Sequence, residues 1–397
     1  MKILAVWDGD YPWDVRVEKV CKAFVDHGDE VVLVSRNSKG RPRQESIDGF
    51  DIRRVFAFRG SLSRWNSAVT FPFFLSPVWL WEIYKTARQF KPDLIVIRDL
   101  PMALGAILVA KLLRIPTAFD MAECYPEMLR CIWKFEDFRI VNLVVRNPYL
   151  ADVVEGITIS NVDLIWVMVE ESGLRLIRKG VPESKIRVVS NTPPLDGQLS
   201  RDFIDVPKLT FFYVGLLNPS RGLRTVVEAA HKLKKKCQNR FEVIIAGDGK
   251  DMSYLKALAH NLDVEDCVRF IGWVDHKSLG HLMSGTDVGI VPHYVCSHWD
   301  NTIPNKLFDY MRAGIPVLTS DAKPAERIVN ESESGLVYVN DSADDLAKKM
   351  ELMFDLSLRE RLGKNGRNAV RQRYHWNFDS KVLLGSAAEV VDVGRSA

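Results

Sequence analysis

Leu209-Thr210-Phe211-Phe212-Tyr213-Val214-Gly215-Leu216-Leu217-Asn218-Pro219-Ser220-Arg221-Gly222 reads as a buried strand, a glycine-bounded loop and the approach to a helix. The helix follows at once, with Leu223, Val226, Val227 and Ala230 recurring at three- and four-residue steps. Downstream the same alternation continues, with strands expected at Phe241–Ala246, Val268–Ile271, Val288–Val291, Pro316–Thr319 and Leu336–Val339. Upstream it has already run once. Strands read at Ile3–Trp7, Val31–Val34, Asp93–Ile97, Thr117–Asp120, Ile157–Ser160 and Ile186–Val189, and Gly28 sits where a helix C-terminal cap belongs. Alternation of this kind builds a parallel sheet covered on both faces. The polar stretch Asp196–Pro207 reads as the linker between two such domains, and ligands are expected beyond the carboxyl ends of their strands.

Composition narrows the function. A chain of 397 residues exceeds one ordinary core and fits two domains. Basic and acidic residues number 54 and 51, a net charge of +3, which lacks the basic footprint of a nucleic-acid binder. The run Lys234-Lys235-Lys236 reads as a solvated helix face. Six cysteines form no Cys-x-x-Cys pair, and scattered thiols fit a reducing compartment. Met1–Trp7 reads as a strand rather than a signal peptide, and the apolar stretch Ala68–Tyr84 is broken by Pro72 and Pro77. A cytoplasmic location is the expectation, with contact to the inner face of a membrane.

Three loops carry candidate chemistry. In the first, Gly215 and Gly222 allow close backbone approach, and Arg221 with the helix-start amides suits a diphosphate. An ordinary strand–helix turn with an exposed arginine is the competing reading. In the second, Gly247-Asp248-Gly249 admits a nucleoside or is simply a turn. The third is His298-Trp299-Asp300-Asn301-Thr302-Ile303-Pro304-Asn305-Lys306-Leu307-Phe308-Asp309-Tyr310-Met311, with Pro304 in the first turn of a helix. Lys306 then lies at the positive helix end and Asp309 one turn in, placed for ribose hydroxyls or for a surface ion pair with Lys306.

Taken together, these residues resemble the retaining glycosyltransferases of family 4. The markers are Gly215…Arg221-Gly222, Gly247-Asp248-Gly249, Phe270-Ile271-Gly272-Trp273, and above all Ile303–Met311 followed by Gly314-Ile315-Pro316-Val317. Pro12–Glu18, Lys91-Pro92-Asp93 and Gly180-Val181-Pro182…Asn191 add support from the first half. The resemblance implies the GT-B fold: two Rossmann-like α/β domains facing each other across a cleft. The acceptor-binding domain would be 1–195, completed by a C-terminal helix 375–397, and the donor-binding domain 205–372. It implies transfer of a sugar, with retention, from a nucleotide-diphosphate donor to a glycan or lipid-linked acceptor, without bound metal or other cofactor. UDP and GDP are not distinguished. Surface polysaccharide assembly is the commonest setting for relatives of this form.

By the same resemblance, Arg221, Lys306 and Glu123 are the catalytic candidates. Gly215, Asn218, Gly249, Ile271, Asn301, Thr302, Ile303, Pro304, Asn305 and Asp309 would hold the donor, and Asp10, Arg16, Asp120 and Tyr125 the acceptor. Three departures stand out: Asn301 replaces the first acid of Glu-x7-Glu, Leu216 replaces an arginine, and Ala122 replaces a histidine. They motivate the rival reading of a catalytically silent scaffold subunit; a same-fold enzyme such as an epimerase is a second rival. Finally, seven of the ten tryptophans fall in the first half, and Phe71–Trp81, with Arg54, Arg59 and Arg64 before it, fits a membrane interface or a domain core.

Overall fold

The structure, a computed structural model, describes residues 1–12, 14–58, 60–71, 74–135, 146–195 and 206–396. Trp13, Arg59, Pro72, Phe73 and most of the expected linker lie outside the described residues. The chain divides into two compact units. The first holds Met1–Arg130, the described part of Phe138–Asn191 and Asp379–Ala397, and the second holds Thr192–Phe378 with a short piece before residue 138.

Eight strands build the first unit: β1 Lys2–Trp7, β2 Glu30–Ser35, β3 Gln44–Ile47, β4 Phe50–Arg54, β5 Leu94–Arg98, β6 Thr117–Met121, β7 Leu164–Val167 and β8 Ile186–Val188. Their order is β3-β4-β2-β1-β5-β6-β7-β8, parallel except for the β3–β4 hairpin. The central strands are apolar throughout (Leu4, Leu33, Ile95 and Ile97 are fully buried), as a sheet covered on both faces requires. Four helices of this unit matter below: α1 Val15–Asp26, α2 Pro77–Phe90, α3 Ala103–Leu113 and α4 Pro148–Asn161. Asp14 caps α1 by accepting from the amides of Arg16 and Val17, and Gly28 follows its end at φ 92°.

Six parallel strands form the second unit: β9 Leu209–Val214, β10 Phe241–Ala246, β11 Val268–Gly272, β12 Val288–Val291, β13 Val317–Ser320 and β14 Gly335–Tyr338. Their order is β11-β10-β9-β12-β13-β14. Helix α5, Leu223–Lys234, buries Leu223, Val226, Val227, Ala230 and Leu233 in the core above the sheet, the stripe its sequence promised. Helix α6, Lys306–Ala313, presents Leu307, Phe308, Tyr310 and Met311 inward. The terminal helix α7, Trp376–Ser396, lies mostly in the first unit, where Ser386 accepts from the Trp166 indole at 2.9 Å.

Two expectations fail here. Ile157–Ser160 is not a strand but the end of α4, whose start is fixed by Pro148 and by Asn147 accepting from Tyr149 and Leu150 amides. The strand sits later, at β7. The β3–β4 hairpin was not foreseen, because β3 is largely exposed and carries no apolar alternation. Its Asp48-Gly49 turn, both residues at positive φ, was the available signal.

Candidate functional site

In each sheet one central strand has neighbours whose connections leave in opposite directions, which opens a crevice at the carboxyl ends. In the second sheet that point lies between β9 and β12. The loop after β9 carries Gly215 and Arg221, the segment after β12 carries His293, and α6 begins with Lys306 nearby.

Lys306 extends its ammonium to 3.9 Å from the centroid of the Tyr213 ring. A Cβ on Gly215, whose φ is 141°, would lie 2.9 Å from that nitrogen. The loop therefore needs glycine there on two counts. Burial, and secondarily the Arg221 charge, push the Lys306 pKa well below its usual value. Arg221 stacks its guanidinium over Trp299 at 4.6 Å and donates from Nη1 to His293 Nε2 at 2.8 Å. Neither cation has a carboxylate partner among the described residues, and Lys306 makes the Tyr213 contact instead of the alternative surface pair with Asp309.

His293 is buried and its pKa is well below normal, first through burial and then through Lys306 and Arg221. An arginine can only donate, so Nε2 accepts and the ring proton sits on Nδ1. That Nδ1 and the Trp299 indole nitrogen are buried with no hydrogen-bond partner among the described residues. Such orphaned donors call for an explanation, and a ligand oxygen supplies one. His293, Trp299 and Tyr213 were not singled out from the sequence. His293 belongs to no motif, and only its place directly after a buried strand could have marked it.

The other expected donor contacts divide by what the backbone leaves available. Asn218 opens the short helical turn Pro219–Arg221, its carbonyl accepting from the Arg221 amide at 2.9 Å. Ile271 is half-buried at the end of β11. Thr302 and Ile303 are buried. Asn301 donates its side-chain amide to the Ser297 carbonyl at 2.6 Å, a turn-forming bond. Pro304 lies two residues before α6, and Asn305 occupies the cap position. Asp309 is half-buried in the first turn. The glycines of the second loop have a structural cause. A Cβ on Gly247 would sit 1.8 Å from the Gly215 carbonyl oxygen, and one on Gly249 would sit 2.4 Å from that of Leu217. Those glycines let two loops press together, as the turn reading of Gly247-Asp248-Gly249 requires.

In the first unit the matching crevice lies at β1 and β5. Here the expected acceptor residues are largely engaged by their own chain. Arg16 and Asp120 are 2% and 1% exposed and bond each other bidentately, with Nε donating at 3.0 Å and Nη2 at 2.5 Å. That buried pair clamps α1 to β6, which gives both residues a structural role. Asp10 accepts from the Ser38 amide and hydroxyl and so ties two loops together. Glu123 keeps one buried oxygen, Oε2, without a hydrogen bond, and Tyr125 begins the following helix. Sequence reading missed Asp99, directly after β5. Burial raises its pKa to about 7, against the lowering effect of Arg98 3.0 Å away. Asp8, after β1, is raised for the same first reason.

A cavity of ≈ 630 Å³ in this unit, lined by Lys111, Arg114, Thr117, Asp163 and Lys185 among others, opens at the amino ends of β6–β8. It lies at the opposite sheet edge from the candidate residues. No described helix is long and apolar enough to cross a membrane.

Comparison with known proteins agrees with this division. The family model described as Glycosyl transferase 4-like domain matches residues 14–192, and that described as Glycosyl transferases group 1 matches residues 200–369. The amylovoran biosynthesis glycosyltransferase AmsK of Erwinia amylovora is 26% identical over 55% of this chain and 53% of its own. The lipopolysaccharide core biosynthesis glycosyltransferase LpsD of Rhizobium meliloti is 25% identical over 79% of each chain. The chain spans about half the length of the curated relatives that match it most strongly. HepE of Anabaena, solved with UDP and glucose, superposes with a TM-score of 0.72 at 16% identity, covering 98% of this chain and 100% of that one. The chain is thus a glycosyl transferase 4-like domain followed by a glycosyl transferases group 1 domain, the domain pair of a GT-B glycosyltransferase.

Proposed function

We propose that the protein transfers a sugar, with retention, from a nucleotide-diphosphate donor held by the second unit to a glycan or lipid-linked acceptor held by the first. The setting would be surface polysaccharide or glycoconjugate assembly at the cytoplasmic face of a membrane. The carrying observation is the pair Arg221 and Lys306, two cations packed into one crevice with no acid to balance them. Both are half-buried, and two adjacent cations without a carboxylate partner among the described residues suit a dianion.

The chemistry follows from that charge. As the bond between the anomeric carbon and the diphosphate oxygen breaks, negative charge grows on the leaving group. Arg221 and Lys306 neutralise it, as does the positive end of α6. The acceptor hydroxyl attacks on the face the diphosphate leaves, and its proton passes to a leaving phosphate oxygen. No protein base is needed for that step, so Ala122 in place of a histidine does not stop it. The family's retaining mechanism and metal independence come from the resemblance. UDP-bound HepE and the polysaccharide and lipopolysaccharide assignments of AmsK and LpsD support the substrate classes.

Thermal shifts with UDP, GDP and ADP test the donor reading, because a ligand of the native state raises its melting temperature. One diphosphate should protect the wild type, and Arg221→Ala should abolish most of that protection. No protection by any of the three would overturn the reading.

A further inference from the structure

The outer layer of the first unit formed by α2, α3 and α4 carries an unusual surface. On α2, Trp81, Lys85 and Arg88 fall at i, i+4 and i+7, and Trp81 is 64% exposed. On α3, Leu108 and Leu112 are 52% and 70% exposed and bracket Lys111; Arg114 follows as the C-cap. On α4, Tyr149, Val153 and Ile157 repeat every fourth residue and are all exposed. Helix α3 packs against both α2 and α4, and Trp81, Leu108 and Leu112 line one groove. Soluble surfaces scatter such side chains singly; an adjoining set marks a place something covers. The stretch Phe71–Trp81 divides: Phe71, Leu75 and Trp81 are exposed, and its other tryptophan is core. Trp79 is 1% exposed and donates to the Thr70 carbonyl, while Arg54 is buried and bonds Glu45 and the carbonyls of Pro42 and Tyr11.

Charge decides what covers the face. Each acid on the three helices is already engaged: Glu82 by Arg43, Asp152 by Arg130 and Lys179, and Glu155 by Arg175 and Lys179. Lys85, Arg88, Lys111 and Arg114 have no carboxylate partner among the described residues; Lys111 donates only to the neutral Asn161. Three lysines of the second unit are engaged instead. Lys232, Lys234 and Lys236 pair with Asp344, Asp266 and Glu351 at 2.7–2.9 Å. A second copy seated face to face would need acids that this face does not offer.

We propose that the face of α2, α3 and α4 docks on an anionic lipid bilayer, with Trp81, Leu108 and Leu112 entering the headgroup–acyl boundary and the four cations meeting lipid phosphates. The groove of ≈ 370 Å³ between Trp81, Tyr84, Leu108 and Leu112 takes up lipid methylenes. The proposal rests on the reading of the protein as a transferase working at a membrane. It adds which surface binds, and the lipid charge it requires. Apolar insertion and cationic attraction together give reversible binding that weakens as salt screens the phosphates.

Co-sedimentation with vesicles of phosphatidylglycerol and phosphatidylcholine tests it. Wild type should pellet with the anionic vesicles at low salt and release at high salt, and it should ignore pure phosphatidylcholine. Leu108→Ser/Leu112→Ser and, separately, Lys111→Glu/Arg114→Glu should each weaken pelleting at least tenfold. Leu352→Ser, at an exposed leucine of the second unit, should leave it unchanged. Equal pelleting by both double variants, or none by wild type, overturns the proposal. So does a wild-type dimer in light scattering that the serine variant dissolves, since the face would then meet a second copy. Nucleotide-induced thermal shift, measured on the same proteins without vesicles, should be normal in every variant. Its absence in wild type would instead sink the transferase reading on which the proposal rests.

Discussion

Around Arg98 in the first unit, the loops after β1, β5 and β6 gather Asp8, Asp14, Asp99, Asp120 and Glu123. In the second unit the loops after β9 and β12 bring Arg221 and Lys306 together with a neutral His293 and no carboxylate. The two crevices occupy the same topological position in similar parallel sheets, yet one sets acids against its arginines and the other, among the described residues, pairs neither of its cations with a carboxylate. Buried ionised groups persist only where something compensates them. Where the chain supplies the partner, as at Arg16–Asp120, the charge belongs to the fold. Where the chain supplies none, the missing charge belongs to a ligand. That difference separates structural from functional residues better than residue type, since an arginine and an aspartate stand on the candidate lists of both units.

The sharpest test removes one half of the balanced pair. Asp120→Ala should destabilise the first unit by about 3–5 kcal/mol, because it strands the Arg16 guanidinium in the core. The double replacement Arg16→Met/Asp120→Leu should cost less than either single change. Urea unfolding midpoints decide it. If Asp120→Ala keeps its stability and loses only transfer, the residue touches substrate after all.

At Lys306 the opposite signs are expected. Lys306→Met removes a half-buried amine whose charged form its surroundings disfavour, so the free protein should melt no lower, while transfer falls about 10²–10³-fold, as when one leaving-group stabiliser is removed. Binding of a diphosphate must also raise the depressed Lys306 pKa. Nucleotide binding by wild type should therefore take up protons at pH values around and above that lowered pKa, and affinity should weaken as pH rises through it. Calorimetry in two buffers of different ionisation heat reads the uptake. A variant that melts lower, or binding without proton uptake, would break the contrast between the units.

How far the sequence carried is visible at these same residues. The strand–loop–helix restart at Leu209 located the second sheet because apolar strands and stepped helices are patterns of neighbours along the chain. Lys306 and Arg221 were readable as candidates, because a loop after a strand and a helix start are also local. Whether a charge has a partner is not local. Arg16 and Asp120 lie 104 residues apart and looked like substrate ligands until the sheet brought them together. Asp99 and His293 escaped notice for the same reason, since each owes its character to burial. At Ile157–Ser160 the failure was different: a short β-branched run fits helix or strand equally, and the cap at Asn147 decided between them.

Asp99 gives a smaller effect, one that depends on pH. Its native pKa of about 7 stands above the value of an unfolded aspartate. The native state thus holds the proton more tightly, and this contribution is fully present below about pH 4. It is lost as pH rises through 7 and is flat beyond. Asp99→Asn mimics the protonated form at nearly the same size and shape. Denaturation midpoints of wild type should fall between pH 5 and pH 8 relative to the variant. Parallel profiles would mean that Arg98 keeps Asp99 ionised throughout and that the first crevice is balanced completely.

The smallest expected effect concerns the group that holds Arg221 without neutralising it. His293 accepts from the guanidinium through Nε2 and stays uncharged, because burial and two nearby cations oppose its protonation. It fixes the orientation of Arg221 against Trp299 while leaving the whole positive charge for a diphosphate. A carboxylate in its place would hold the arginine at least as firmly and cancel that charge. His293→Gln, which keeps an uncharged acceptor, should change nucleotide affinity by less than about threefold, well under the ~1.4 kcal/mol of a tenfold change. His293→Glu should weaken it about tenfold, because the crevice would then be balanced by its own chain, as the first one is. Calorimetric titration of both variants with the nucleotide that protects wild type supplies the comparison. Equal affinities for the two would show that the uncompensated charge on Arg221 is not what draws the diphosphate, and the distinction between the crevices would then rest on Lys306 alone.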